Sequence, residues 1–213
     1  MILLLGGEKG GTGKSTLATN LAVWLAKQGR DTIIIDTDSQ MTSSNWVDRR
    51  NKNEALVKVH CTEKHGNVFH AVRDTAQRYD EVIIDAGGRD SEELRTALVA
   101  ANVVYVPLRA SQPDLETSVH MNELVTLARG MNQSLDARLI ISMAPTNPVI
   151  NEATQARELL RELPVFKLSD AIIRERKVYR DAISDGLGVI EMDNLKAIAE
   201  IDSLAKEIYG DRG

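Results

Sequence analysis

The sequence predicts one α/β domain, a doubly wound and mostly parallel sheet with helices on both faces. Three observations carry this. Short aliphatic runs alternate with helical stretches along all 213 residues. Most of these runs are apolar throughout, the pattern of strands buried on two faces rather than one. No repeat, low-complexity tract or linker interrupts the series, so residues 1–213 are expected to form a single unit.

The elements follow in order. MILLLG at 1–6 reads as a strand. GKSTLATNLAVWLAKQG at 13–29 reads as a helix: Leu17, Leu21, Trp24 and Leu25 form one apolar stripe, and Gly29 is a suitable stop. DTIIID at 31–36 is a strand, and LVKVHC at 56–61 a shorter one. NVFHAVRDTAQRY at 67–79 is helical and EVIIDAG at 81–87 a strand. SEELRTALVAA at 91–101 is a helix with Ser91 as its N-cap, and VVYVPL at 103–108 a strand. DLETSVHMNELVTLARG at 114–130 is helical, ARLIISMAP at 137–145 a strand, and INEATQARELLREL at 150–163 helical. PVFKL at 164–168 is a short strand, and DNLKAIAEIDSLAKEIYG at 193–210 the last helix.

Composition narrows the class. Hydrophobic residues make up 43% and aromatics 4%, so aliphatic side chains must fill the core. The apolar runs are too short to span a bilayer, and the N-terminus shows no basic n-region or cleavage site. A single cysteine, Cys61, forms no internal disulfide. Together these features predict a cytoplasmic setting. The net charge of −5 argues weakly against nucleic acid, but local distribution decides such questions. His60, Cys61, His65 and His70 match no common zinc spacing, so no metal is expected there.

The chemistry concentrates after the first strand, in GGEKGGTGKST at 6–16. The strict phosphate loop, G-x-x-x-x-G-K-[ST], needs glycine at position 8, where this chain has Glu8. The rest fits. Gly10, Gly11 and Gly13 allow backbone amides to turn inward around phosphate oxygens, and the following helix presents its positive end. Lys14 is placed for the β- and γ-phosphates, and the Ser15 hydroxyl for Mg²⁺. Asp36 and Asp38 end one predicted strand and Asp85 another. At the carboxyl ends of parallel strands, all three would face the same crevice. Each could instead cap a helix or turn, and Lys9 by itself reads as a solvated surface lysine.

These stretches resemble the ParA/MinD family of deviant Walker ATPases. KGGTGKST at 9–16, DTDSQ at 36–40 and VIIDAGG at 82–88 match it in order and spacing, and the resemblance covers nearly the whole chain. IIIDTDSQMTSSNW and RERKVYRDAISDGLGVIE are similar to small plasmid-partition ParA proteins. The resemblance implies a P-loop NTPase fold with a deviant Walker A loop, x-K-G-G-x-G-K-[ST], in which Glu8 is permitted though its charge is unexplained. The Glu8 side chain is expected to point away from the phosphates. The resemblance further implies ATP and Mg²⁺ as ligands. Gly10, Gly11, Thr12, Gly13, Lys14, Ser15 and Thr16 would surround the phosphates, with Ser142 and Met143 near the adenine. Asp38 would orient the lytic water, and Ser15, Asp36 and Asp85 would hold the Mg²⁺ shell. Lys9 would reach the phosphates of a partner subunit, making ATP the glue of a homodimer. Residues 36–50 and 85–92 would be the switches. DAGG replaces the commoner DAPP of the family, which predicts a more mobile second switch.

The partner is read from charge. Arg174, Arg176, Lys177 and Arg180 stand against one acid, Glu175, with Arg157, Arg161 and Lys167 shortly before. Charge alone fits a solvated helical face and a DNA-phosphate surface equally. The resemblance favours non-specific DNA, a centromere-binding adaptor and a nucleoid-associated partition ATPase whose slow hydrolysis of ATP to ADP and phosphate the adaptor stimulates. The C-terminal AEIDSLAKEIYGDRG mixes both charge signs, unlike a membrane-binding basic helix, so no membrane partner is expected. Two alternatives stay open: a MinD-like ATPase positioning a protein cargo or membrane site, and an ATP-dependent metabolic synthetase.

Overall fold

The structure is a computed structural model that describes residues 1–109, 112–146, 160–161 and 163–210. The strands are β1 (Ile2–Leu5), β2 (Thr32–Asp36), β3 (His60–Glu63), β4 (Glu81–Asp85), β5 (Val103–Leu108), β6 (Asp136–Ala144) and β7 (Lys167–Arg174). They form one sheet in the order β3-β2-β4-β1-β5-β6-β7, and every neighbouring pair is parallel. The helices are α1 (Lys14–Lys27), α2 (Thr42–Asn51), α3 (Phe69–Thr75), α4 (Glu92–Ala100), α5 (Gln112–Arg129), α6 (Lys177–Asp185) and α7 (Leu195–Tyr209).

Alternation along the strands builds two cores. Ile2, Leu4, Ile33, Ile35 and Ile84 point to one face, where buried residues of α3, α4 and α5 cover them. Leu3, Leu5, Ile34 and Ile83 point to the other, covered by α1, α2, α6 and α7. This two-sided burial is why the runs are apolar throughout. β1 lies between β4 and β5, so the chain order reverses at its carboxyl end. A ligand crevice belongs at such a switch point.

Several elements differ from the sequence reading. The third strand starts at His60, not at Leu56. Residues just before it spend their carbonyls on the end of α2: Arg50 Nε donates to Val57 O at 2.9 Å, and Asn51 Nδ2 to Val59 O at 2.9 Å. Helices α2 and α6 were not read as helices. α2 buries only two apolar side chains, Trp46 and Val47, beside the polar Ser43 and Arg50, and α6, nine residues long, buries only Tyr179 and Ala182. The strand expected at 164–168 runs instead from Lys167 to Arg174. The helix expected at 150–163 lies almost wholly outside the described residues.

The segment RERKVYRDAISDGLGVIE serves partly as a packing seam. Arg50 is fully buried and donates to both carboxylate oxygens of Glu191, at 2.8 and 2.9 Å, and to Gly186 O at 3.1 Å. Its guanidinium also lies 5.4 Å from the Trp46 ring centre. A Cβ on Gly186 would stand 2.7 Å from the Arg50 backbone nitrogen, so glycine is required there.

Burial, followed by the nearby Asp36 charge, pushes the Cys61 thiol from 9.0 up to about 12. The thiolate is the reactive species. That rise leaves ~1000-fold less of it at any pH below 9. Alkylation of Cys61 by iodoacetamide at pH 8 is therefore expected to be slow in the native protein and fast in urea, as mass spectrometry of quenched samples would show.

Candidate nucleotide-binding site

β1 feeds directly into the loop. Gly13 sits in the left-handed region at φ 95° and precedes the first turn of α1, where no side chain caps the helix. The first-turn amides are thus left for a ligand, and a helix N-terminus favours an anion. Lys14 is buried, and its Nζ donates to Lys9 O at 2.7 Å. Burial lowers its pKa, while the charges of Asp85 and Asp38 act in the opposite direction. Thr12 is buried in the loop, and its hydroxyl lies 3.4 Å from Lys9 O.

The sheet places the two buried carboxylates. Asp36 and Asp85 are register partners at the ends of β2 and β4, and Asp85 pairs with Leu5 of β1. Asp36 accepts from the backbone amides of Ser44 at 2.9 Å and Asp38 at 3.0 Å. Burial raises its pKa despite these bonds. Asp85 is fully buried and accepts from the Ser43 hydroxyl at 2.6 Å. Burial pushes its carboxyl up to about 7, and the hydroxyls of Ser43 and Ser15 partly oppose this. Its Oδ1 is buried without a hydrogen-bond partner. A buried, unpartnered carboxylate oxygen beside a second carboxylate and a hydroxyl is a donor set that fits a hard divalent cation such as Mg²⁺. Asp38 lies at the mouth, its Oδ1 accepting from the Gln40 amide at 3.0 Å.

The second glycine of DAGG has a steric reason. A Cβ on Gly88 would lie 2.7 Å from Gly10 N and 2.8 Å from Gly10 Cα, so the segment after β4 is pressed against the glycine loop. A Cβ on Gly87 would meet Asp38 only at ordinary contact distances, from 3.6 Å. Gly88→Ala is therefore expected to displace the loop and weaken nucleotide affinity about tenfold with the fold retained, a loss of about 1.4 kcal/mol. Gly87→Ala should bind almost normally. Titration of both variants with a fluorescent nucleotide analogue checks the contrast.

A cleft, partly open to solvent, adjoins the loop. Gly13, Thr16, Ser142 and Met143 line it, together with Arg174, Arg176, Tyr179 and Arg180. The residues expected near the adenine and most of those expected to touch DNA thus share one cleft. Met143 takes a left-handed backbone at φ 55°, where β6 pairs irregularly with β7. Such conformations cluster at ligand sites. The basic side chains are locally paired. Arg176 is 16% exposed and grips Glu200 at 2.6 and 3.0 Å. Lys177 bonds Asp181, and Arg180 lies 3.8 Å from Glu175, but these two are 79% and 70% exposed. Arg174 Nη1 donates to Pro145 O.

The structure therefore gathers Lys9 through Thr16, Asp36, Asp38 and Asp85 at one end of the sheet. Three residues at this end went unread. Ser43 holds Asp85. Arg109, just past β5, has Nη2 3.5 Å from Gly11 O and 3.2 Å from Met143 Sδ. His120 on α5 pairs with Glu8, its Nδ1 2.7 Å from Glu8 Oε1. That pairing gives Glu8 a partner on α5. Arg109 was open to detection, since it directly follows the expected strand at 103–108 and so stands at a strand's carboxyl end; His120 carried no signal. Among the described residues no helix is long and apolar enough to cross a membrane.

Comparison with known proteins agrees with this geometry. Residues 3–189 match the domain family described as CobQ/CobB/MinD/ParA nucleotide binding domain. The chain is 27% identical over 204 residues to a maintenance of carboxysome distribution protein A from Halothiobacillus neapolitanus, spanning 94% of this chain and 92% of that protein. A putative plasmid partition protein from Borrelia burgdorferi, solved with AMPPNP, superposes with a TM-score of 0.74 at 19% identity, covering 98% of each chain. MinD of Aquifex aeolicus superposes with a TM-score of 0.73 at 15% identity, covering 100% of this chain and 98% of that one. At those identities the two structures speak for the fold.

Proposed function

Because this chain belongs to the CobQ/CobB/MinD/ParA family of nucleotide-binding domains, we propose that it is a positioning ATPase that binds Mg·ATP, dimerises on it and releases its cargo on hydrolysis. The observation that carries this is the buried cluster of Lys14, Asp36 and Asp85 beneath a glycine loop. In this reading the loop amides and Lys14 hold the β- and γ-phosphates. Ser15, Asp36 and Asp85 would hold Mg²⁺, which neutralises phosphate charge when bound. Asp38 accepts a hydrogen bond from the attacking water and orients it. The water oxygen bonds to the γ-phosphorus as the bond to the β,γ-bridging oxygen breaks, giving ADP and phosphate. Lys9 acts across the dimer on the partner's phosphates. The base occupies the cleft lined by Ser142, Met143, Arg174 and Arg176.

Non-specific DNA is the surface on which the dimer holds its cargo. Lys177 and Arg180 are the residues for it, since their pairs are exposed and a DNA phosphate can displace them. Arg176 is not, because Glu200 grips it in a side-chain pair that is little exposed. An adaptor protein links the dimer to cargo and stimulates hydrolysis. The resemblance to plasmid-partition proteins supports DNA as that cargo. The relative named for carboxysome distribution supports a protein assembly equally well. Both cargoes use the same cycle.

Lys9 supplies the test. Lys14 grips nucleotide within one subunit, whereas Lys9, acting in trans, contributes little to a monomer's affinity. Lys9→Ala is expected to bind a slowly hydrolysed ATP analogue within about threefold of wild type, below about 1 kcal/mol. It should remain monomeric in sedimentation velocity where wild type dimerises, because facing phosphates across a partly dry gap repel strongly once uncompensated. Hydrolysis and DNA retention should fall with the dimer. A variant that dimerises normally, or that simply loses nucleotide, would sink the trans role.

A further inference from the structure

Glu8 adds negative charge beside a loop that holds phosphate, and nothing in phosphate binding requires it. Its surroundings give it a use. Glu8 from the loop, Asp90 from the segment after β4 and His120 from α5 each place a ligand atom within 4.8 Å of the other two. We propose that these three side chains form a second metal site, distinct from that of Mg²⁺, for a borderline divalent ion best matched by Zn²⁺.

The donor set decides the metal. An imidazole nitrogen with two carboxylates suits zinc and its neighbours better than magnesium or calcium, which prefer oxygen alone. Three protein ligands leave a fourth tetrahedral position, and His120, 46% exposed, leaves that side open to water. Glu8 is 12% exposed, so packing already holds its carboxylate in place. Ligand atoms of a tetrahedral site with bonds of about 2.0 Å lie roughly 3.3 Å apart. The 2.7 Å Glu8–His120 contact would open slightly around an ion, and any longer separations would close.

Asp90 has an orienting partner as well. Arg95 donates from Nε and Nη2 to its two oxygens. A carboxylate offers about four lone-pair sites, so this grip leaves two for a metal. Outer partners of this kind fix the orientation of ligating carboxylates. The formal charges of Glu8, Asp90 and Arg95 sum to −1, and a dication turns this to +1 beside the phosphates. Since the ligands come from three elements around the loop, the bound ion would tie loop, switch and α5 together.

Titration of the full chain decides the matter, after stripping with a chelator, without nucleotide and with excess Mg²⁺. Zn²⁺ is followed by calorimetry, and Co²⁺ by the visible absorption of a low-coordinate site. Wild type is expected to take up one equivalent. His120→Ala and Glu8→Gln should each weaken binding at least tenfold, since even outer-shell losses at metal sites cost 10–100-fold. Ser15→Ala, which touches only the Mg²⁺ ligands, should bind Zn²⁺ normally. Circular dichroism confirms that each variant is folded. Three results overturn the site: no saturable binding by wild type, unchanged binding in either ligand variant, or loss of binding in Ser15→Ala.

Discussion

Lys14→Ala is expected to abolish nucleotide binding at any practical concentration, an affinity loss of at least about 100-fold. Lys14 is already buried and already aimed into the loop through Lys9 O. Its ammonium therefore meets phosphate with little further desolvation or ordering to offset. Charge-assisted hydrogen bonds to such a group contribute about 1.5–3 kcal/mol each, and 2.8 kcal/mol is about 100-fold. The fold should not suffer. Burial depresses the Lys14 pKa, so its charge is a cost to the ligand-free protein. Removing it should leave the thermal midpoint unchanged or raise it. Equilibrium titration with a fluorescent ATP analogue and a melt on the same sample separate these effects. Normal affinity in a folded variant would overturn the loop assignment.

Arg50→Ala should have the largest effect on stability, about 3–5 kcal/mol, the usual consequence of removing one partner from a buried pair. Arg50 makes four hydrogen bonds, to Val57 O, to Gly186 O and to both oxygens of Glu191. Its loss leaves those acceptors behind in a packed seam. The acid dependence carries a signature. Burial acts to raise the Glu191 pKa, yet Arg50 and the Gly188 amide hold it below the ordinary 4.5. A depressed carboxyl contributes stability that is fully present above the unfolded value and lost as pH falls through the folded one. Wild type should therefore lose part of this contribution below about pH 4.5, and Arg50→Ala should lose less over the same range. Urea unfolding at pH 7 and pH 4 measures both. Equal slopes in the two proteins would show that the pair does not couple to protons as described.

The sheet, its two-sided cover and the phosphate end were legible in the sequence because each rests on local pattern. Apolar runs mark buried strands, and a glycine loop between a strand and a helix marks its own geometry. Asp36 and Asp85 were legible because a strand end has a known place in a parallel sheet. Contacts made across long separations were not. His120 meets Glu8 across 112 positions, and Arg50 meets Glu191 across 141. Neither pairing leaves a periodic trace. The basic segment was misleading in another way. Arg176 looks like a free cation in RERKVYR, but its neutralising partner, Glu200, lies on α7 and is seen only once the helix has packed. Ser142 and Met143, which the resemblance puts near the adenine, line the cleft beside the loop, and the basic segment lines it too.

The contact between Gly88 and Gly10 has a mechanical consequence. It is made by backbone against backbone, with no room for a side chain and no backbone hydrogen bond between the two residues. A contact of that kind resists compression and offers no tension. Motion of the loop toward Gly88 must be relayed at once, whereas motion away simply opens a gap. The junction therefore works like a pushrod, passing displacement in one sense only. The return stroke must be driven by whatever else holds residues 85–92 in place.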